Sequence, residues 1–150
     1  MTDVLEEYKK LQVKFNLPEM QELKIMFQFT DTVSDIEDVR NEMTNKIFEF
    51  MERVVEPLVW CNNQCHMIEK SMLTEDESKD LFSTYKKTQA LKWRNNLLLI
   101  KPDNKESAKL IKDLWDFWTS FEPNMSKICM KFSDGWSDLK FKNESVNYHG

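Results

Sequence analysis

Glycine is almost missing from this chain: 2 of 150 residues, Gly135 and Gly150. Turn-rich β architectures draw on glycine for their positive-φ positions, so so few glycines argue against them. Glycine-rich loops that cradle phosphates cannot be built either, which sets aside dinucleotide folds and nucleoside-triphosphate loops. Histidine is equally scarce, with His66 and His149 alone. No helix therefore offers paired Glu-x-x-His ligands for a di-iron bundle site, and no nucleophile–base arrangement is apparent. Cysteine numbers 3, an odd count that suits reduced thiols better than a disulfide framework. Long apolar runs are absent, and the N-terminus "MTDVLEEYKK" has no apolar segment of the signal-peptide kind. The expected setting is cytoplasmic, with no membrane partner. The net charge of −5 carries no concentrated basic face, so nucleic acid is not an expected partner.

What is present is helical pattern. The chain is 41% hydrophobic and 31% charged, a globular balance. Three segments begin with the same signature of a capping side chain and an acid three residues on: Ser34/Glu37, Thr74/Glu77 and Asp103/Glu106. After Ser34, residues Ile36, Val39, Met43, Ile47, Phe50, Val54, Leu58, Cys61, Cys65, Ile68 and Met72 recur by threes and fours. Such a helix would be on the order of 55 Å long, with a kink or break expected at Pro57. A second pattern spans about Glu75 to Ile100, with Leu81, Phe82, Tyr85, Leu91 and Leu98 inward and Thr88 and Asn95 interrupting. Its end, "LLLI", is apolar all round and is expected to be buried on several sides. A third runs through Leu110, Leu114, Phe117, Phe121, Met125, Ile128 and Phe132, with a bend expected at Pro123. Two shorter helices precede Ser34, the second expected to start at Pro18.

These patterns predict one all-α domain over residues 1–150: an antiparallel bundle of three long, partly kinked helices with a short N-terminal helical pair. Residues from about 136 to 150 are expected to form a frayed tail.

The stretch "WCNNQCHMIEK", Trp60 to Lys70, is the one that looks like chemistry. Cys61 and Cys65 continue the helical pattern, however, and cysteine packs as a small hydrophobe, so a core role is the simpler reading. A zinc site would need two further ligands, and His66 points about 100° away from Cys65 round the helix. Cys129 could approach from the third long helix, which leaves a metal- or thiol-dependent alternative through Cys61, Cys65 and Cys129. Glu49, Glu52 and Glu56 share a helix face and read as a solvated acidic surface. No catalytic, cofactor-binding or metal-ligating residue is assigned.

The aromatic surplus, with 5 Trp and 10 Phe beside 9 Met, mostly falls on the apolar stripes. Trp93, between Lys92 and Arg94, and Trp136 do not, and exposed tryptophan is enriched at interface hot spots. The expected function is a non-catalytic protein-interaction or assembly module, forming a homodimer or binding a protein partner. A small-ligand-binding bundle with a Met- and Trp-lined pocket is a further alternative.

The segment "LEEYKKLQVKFNLPEMQEL", Leu5–Leu23, followed by long acidic helices, resembles the start of small archaeal helical proteins of uncharacterised activity. The resemblance implies a cytoplasmic helical protein and carries no functional residue across. The asparagine- and lysine-rich remainder equally suits a virus or another microbe.

Overall fold

The computed structural model describes residues 4–30 and 33–139. Among them every regular element is helical: α1 Val4–Phe15, α2 Met20–Phe27, α3 Ile36–Phe50, a π-helical turn Met51–Val55, α4 Glu56–Trp60, α5 Gln64–Ser71, α6 Glu75–Ile100 and α7 Asn104–Asp138. No helix among the described residues is long and apolar enough to cross a membrane.

The scarcity of glycine has a visible consequence. Helices that close through a left-handed residue usually do so with glycine. Here Asn16 after α1, Gln28 after α2 and Cys61 after α4 take that role, with φ of 54°, 50° and 50°. Between α1 and α2 the turn is fixed by the buried Tyr8, whose hydroxyl donates to the Pro18 carbonyl at 2.5 Å. Burial raises the Tyr8 pKa well above the ordinary phenol range, and Glu19 and Glu22 add to that rise. Pro18 precedes α2 rather than opening it; the helix begins at Met20 after an extended Glu19.

Capping follows the expected chemistry with two differences. Thr74 and Glu77 form the full reciprocal box at the head of α6. Asp103 caps α7 through the Glu106 N–H, but the Glu106 carboxylate turns to Lys109 instead of reaching back. At α3 the cap is Asp35, one residue after the expected Ser34. Ser34 instead gives both its N–H and its hydroxyl to the Asp38 carboxylate. Those bonds, led by the hydroxyl, hold Asp38 below its ordinary carboxylate range.

The long pattern from Ile36 to Met72, with a kink or break expected at Pro57, is divided. Pro57 has no N–H to offer the Arg53 carbonyl, and its ring crowds that turn. The backbone widens ahead of it: the Glu56 N–H reaches back five residues to the Met51 carbonyl. A π turn inserts in this way without ending the helix. The true break comes at Cys61, after which Asn63 caps α5 by accepting from the His66 N–H. Pro123, by contrast, sits exposed within α7 without ending it.

Two ion pairs between α6 and α7, Glu77–Lys131 at 2.5 Å and Arg94–Asp113 at 2.6 Å, show that these helices run in opposite directions. Between the α3–α4 segment and α6, Arg40 meets Asn95 and Glu56 meets Tyr85, again in opposite directions. The core lies among α3, α6 and α7, with Val39, Met43, Ile47, Leu81, Leu98, Leu110, Leu114, Phe121 and Met125 buried. Around Phe121 the rings of Phe50, Phe117 and Trp118 meet it with centroids 5.6 to 6.0 Å away. Helix α7 also outlasts its expected end at Gly135 by three residues. Gly135 is not a terminator but a close contact, since a Cβ there would lie 2.5 Å from the Met72 sulfur. Of the expected frayed tail, Trp136–Asp138 are helical and residues 140–150 lie outside the described residues.

Candidate interaction face

Helix α6 buries only Leu81, Thr88, Asn95 and Leu98 fully, a narrow stripe in which two of four members are polar. Thr88 and Asn95 interrupt the apolar sequence pattern of the inward face. They are part of that face. Thr88 satisfies itself by donating to the Tyr85 carbonyl at 2.6 Å. Asn95 is held from two sides: its carbonyl oxygen accepts from Arg40 Nε at 2.7 Å, and its amide donates to Asn41 at 3.2 Å.

Arg40 is the reason Asn95 must face inward. This guanidinium is 1% exposed, and its Nη1 also donates to the Ser107 hydroxyl at 2.8 Å. One polar residue from each of α3, α6 and α7 therefore meets in the core. Arg40 has no carboxylate within ion-pairing distance among the described residues. Burial lowers its pKa, opposed by the more distant charges of Glu37, Asp35 and Asp38. Arginine is too basic to lose its proton in response, so the neutral oxygens of Asn95 and Ser107 must carry the solvation. No simple periodicity marks this cluster; the signal was a buried-pattern position occupied by asparagine.

With Asn95 inward, rotation at about 100° per residue places positions 82, 93, 97 and 100 about 140–160° away, on the far side of the helix. They are Phe82, Trp93, Leu97 and Ile100, and the last three are 66%, 58% and 77% exposed. Leu99, about 40° from Asn95, is exposed as well, at the C-terminal end of the helix. The "LLLI" run is thus not buried on several sides: only Leu98 reaches the core, and the rotation that turns Asn95 inward turns Leu97 and Ile100 outward. Phe82, expected inward, is outward for the same reason. Lys86 covers part of its ring at 5.8 Å. The apolar half of the stripe is rimmed by charge of both signs: the Arg94–Asp113 pair on one flank, and Lys92, lying 4.5 Å over the Phe48 ring, beside Trp93.

The cysteine stretch takes a different form from the one expected. Cys61 is half-buried at the end of α4, its thiol donating to the Leu58 carbonyl at 3.2 Å and lying 4.0 Å from the His66 carbonyl. Cys65 is exposed on α5, a helix with no fully buried residue, and Cys129 is exposed on α7. The break at Cys61 removes the shared helix face that would have placed both sulfurs in a core. His66 Nδ1 is buried and has no hydrogen-bond partner. No group of three or more His, Cys, Asp or Glu side chains among the described residues is placed to hold a metal ion. His149 lies outside the described residues. Of the three acids expected on one face, Glu49 and Glu52 are exposed, while Glu56 accepts from the Tyr85 hydroxyl at 3.0 Å. Trp136 lies across α5, its indole N–H donating to Glu69 at 3.0 Å.

Comparison of the chain with protein-family models, with curated proteins and with solved structures gives no match.

Proposed function

We propose that the chain is a non-catalytic assembly module, an antiparallel bundle of three long helices with a short N-terminal helical pair, that self-associates through the outward face of α6. The observation that carries this reading is the exposure of Trp93, Leu97 and Ile100 at helical spacing on one face. Scattered apolar residues are ordinary on a protein surface; an aligned aromatic and two branched aliphatics are the composition of an interface centre. A second copy suits the rim, since a surface that carries Arg94 beside Asp113 can offer each sign to its opposite across a two-fold axis. The face from Phe82 to Ile100 is about 27 Å long and one helix, about 10 Å, wide. That is about 270 Å² from each copy, below the size class of stable interfaces, so the expected dimer is a weak one that dissociates at roughly tens to hundreds of micromolar.

Sedimentation velocity over a concentration series tests the reading. The wild-type chain should shift from monomer to dimer. Leu97→Glu should stay monomeric with an unchanged circular dichroism spectrum, because Leu97 makes no core contact that folding needs. A wild-type chain monomeric at hundreds of micromolar sinks the proposal, as does a dimer that Leu97→Glu leaves intact.

A further inference from the structure

A surface groove of about 340 Å³ lies between α6 and α7, away from the Trp93–Ile100 face and independent of it. Its floor is apolar and comes from both helices: Leu81, Phe121, Met125 and Ile128, all buried side chains of the core that show one edge to the groove. Pro123 lies in the same stretch of α7. Proline removes the rung to the Thr119 carbonyl, the bond that would otherwise tie this part of the groove wall to the turn before it.

The walls differ from end to end. The two cross-helix ion pairs set the register, with residue 77 opposite 131 and 94 opposite 113, so residue 87 stands opposite 120. At this end Lys87, Ser83 and Ser120 line the groove, and none of the three side chains has a hydrogen-bond or ion-pair partner among the described residues. At the other end are Glu77, Asp80 and Lys127. Glu77 is neutralised by Lys131 and bonded to the Thr74 N–H, and the Lys131 bond leads in holding it below its ordinary range. Asp80 and Lys127 make no ion pair within 4.0 Å. The groove thus presents a cation and two hydroxyls with no carboxylate lining the groove beside them at the Lys87 end, an apolar floor, and at the other end the Asp80 carboxylate and the Lys127 ammonium, whose charges offset one another.

We infer that this groove binds a medium-chain aliphatic carboxylate, with its head at Lys87, Ser83 and Ser120 and its tail along Phe121, Met125 and Ile128 toward Asp80. A lysine and two hydroxyls give a carboxylate charge-assisted and neutral donors together. Positions 80 and 87 are about 10 Å apart along α6, the reach of an eight-carbon chain. The volume lies at the lower end of small-molecule sites, and an open groove between two helices suits a weak, sub-millimolar ligand.

Titration calorimetry of the full chain with octanoate, octanamide and octylammonium, at low salt, tests the inference. Octanoate should bind at one equivalent. Octanamide, equal in length but uncharged, should bind about tenfold more weakly, and octylammonium not measurably. Lys87→Gln, a change at an exposed position, should weaken octanoate several-fold and leave octanamide unchanged. Ser120→Trp, which fills the groove from its exposed wall, should remove binding of both. Absence of saturable octanoate binding up to several millimolar overturns the inference. So does equal binding of all three compounds, or a Lys87→Gln chain that binds octanoate as well as the wild type.

Discussion

Arg40 and Asn95, 55 positions apart in sequence, are joined by a 2.7 Å hydrogen bond that lies entirely out of solvent. A buried cation held by neutral oxygens is tolerable only while those oxygens stay in place. The bond therefore couples the rotation of α6 to that of α3, and Ser107 extends the coupling to α7.

Asn95→Ala should destabilise the chain by about 3 kcal/mol, because it leaves Arg40 buried with one acceptor fewer and opens a small void. The double variant Arg40→Met/Asn95→Leu removes cation and acceptor together and should recover most of that loss. Urea denaturation of the three chains checks this. A double variant less stable than Asn95→Ala would mean that the cluster stabilises the fold outright, and the coupling argument would fail.

Glu77 has its pKa depressed in the folded state, first by the Lys131 hydrogen bond and then by the Thr74 N–H. A depressed carboxylate contributes stability that is present above its unfolded value of about 4.3 and is lost as pH falls through the lower folded value. Glu77→Gln keeps a side-chain acceptor for the capping box but loses the charge. Its stability should fall less steeply than the wild type's below about pH 4.5. Thermal melts from pH 3 to 7, roughly spanning that titration, read the difference. Parallel pH profiles for the two chains would show that the Glu77 charge does not matter to folding.

Gly135 lies inside α7, where alanine would favour the helix by about 1 kcal/mol, yet a Cβ there meets the Met72 sulfur at 2.5 Å and its methyl at 3.0 Å. These are outer atoms of a flexible, half-buried side chain. Gly135→Ala should therefore be close to neutral, the helix gain offset by moving Met72. In a Met72→Ala background the obstruction is gone, and Gly135→Ala should stabilise by about 1 kcal/mol. Chemical denaturation of the two pairs decides it. An equal effect in both backgrounds would mean that Met72 does not constrain this turn.

The helices themselves were legible in local chemistry. Thr74 with Glu77 and Asp103 before α7 announced helix starts correctly, and the α6 span from Glu75 to Ile100 matches its pattern end to end. These signals work because capping and periodicity act within a few residues. Periodicity is less informative where the backbone departs from the regular α-helix. Cys61 and Cys65 continue an apolar repeat, but the repeat cannot show that the backbone relieves Pro57 with a π turn and then closes α4 at a left-handed Cys61.

Sequence by itself thus determined that the described chain is helical and where α6 and α7 begin. Only the tertiary structure decided how much of α6 is covered: Leu81 and Leu98 face inward as the periodicity places them, but Phe82, Leu97, Leu99 and Ile100 stay exposed. The Arg40–Asn95–Ser107 contact holds that inward side against α3 and α7, because leaving a buried guanidinium without acceptors costs more than exposing Leu97 and Ile100 to water.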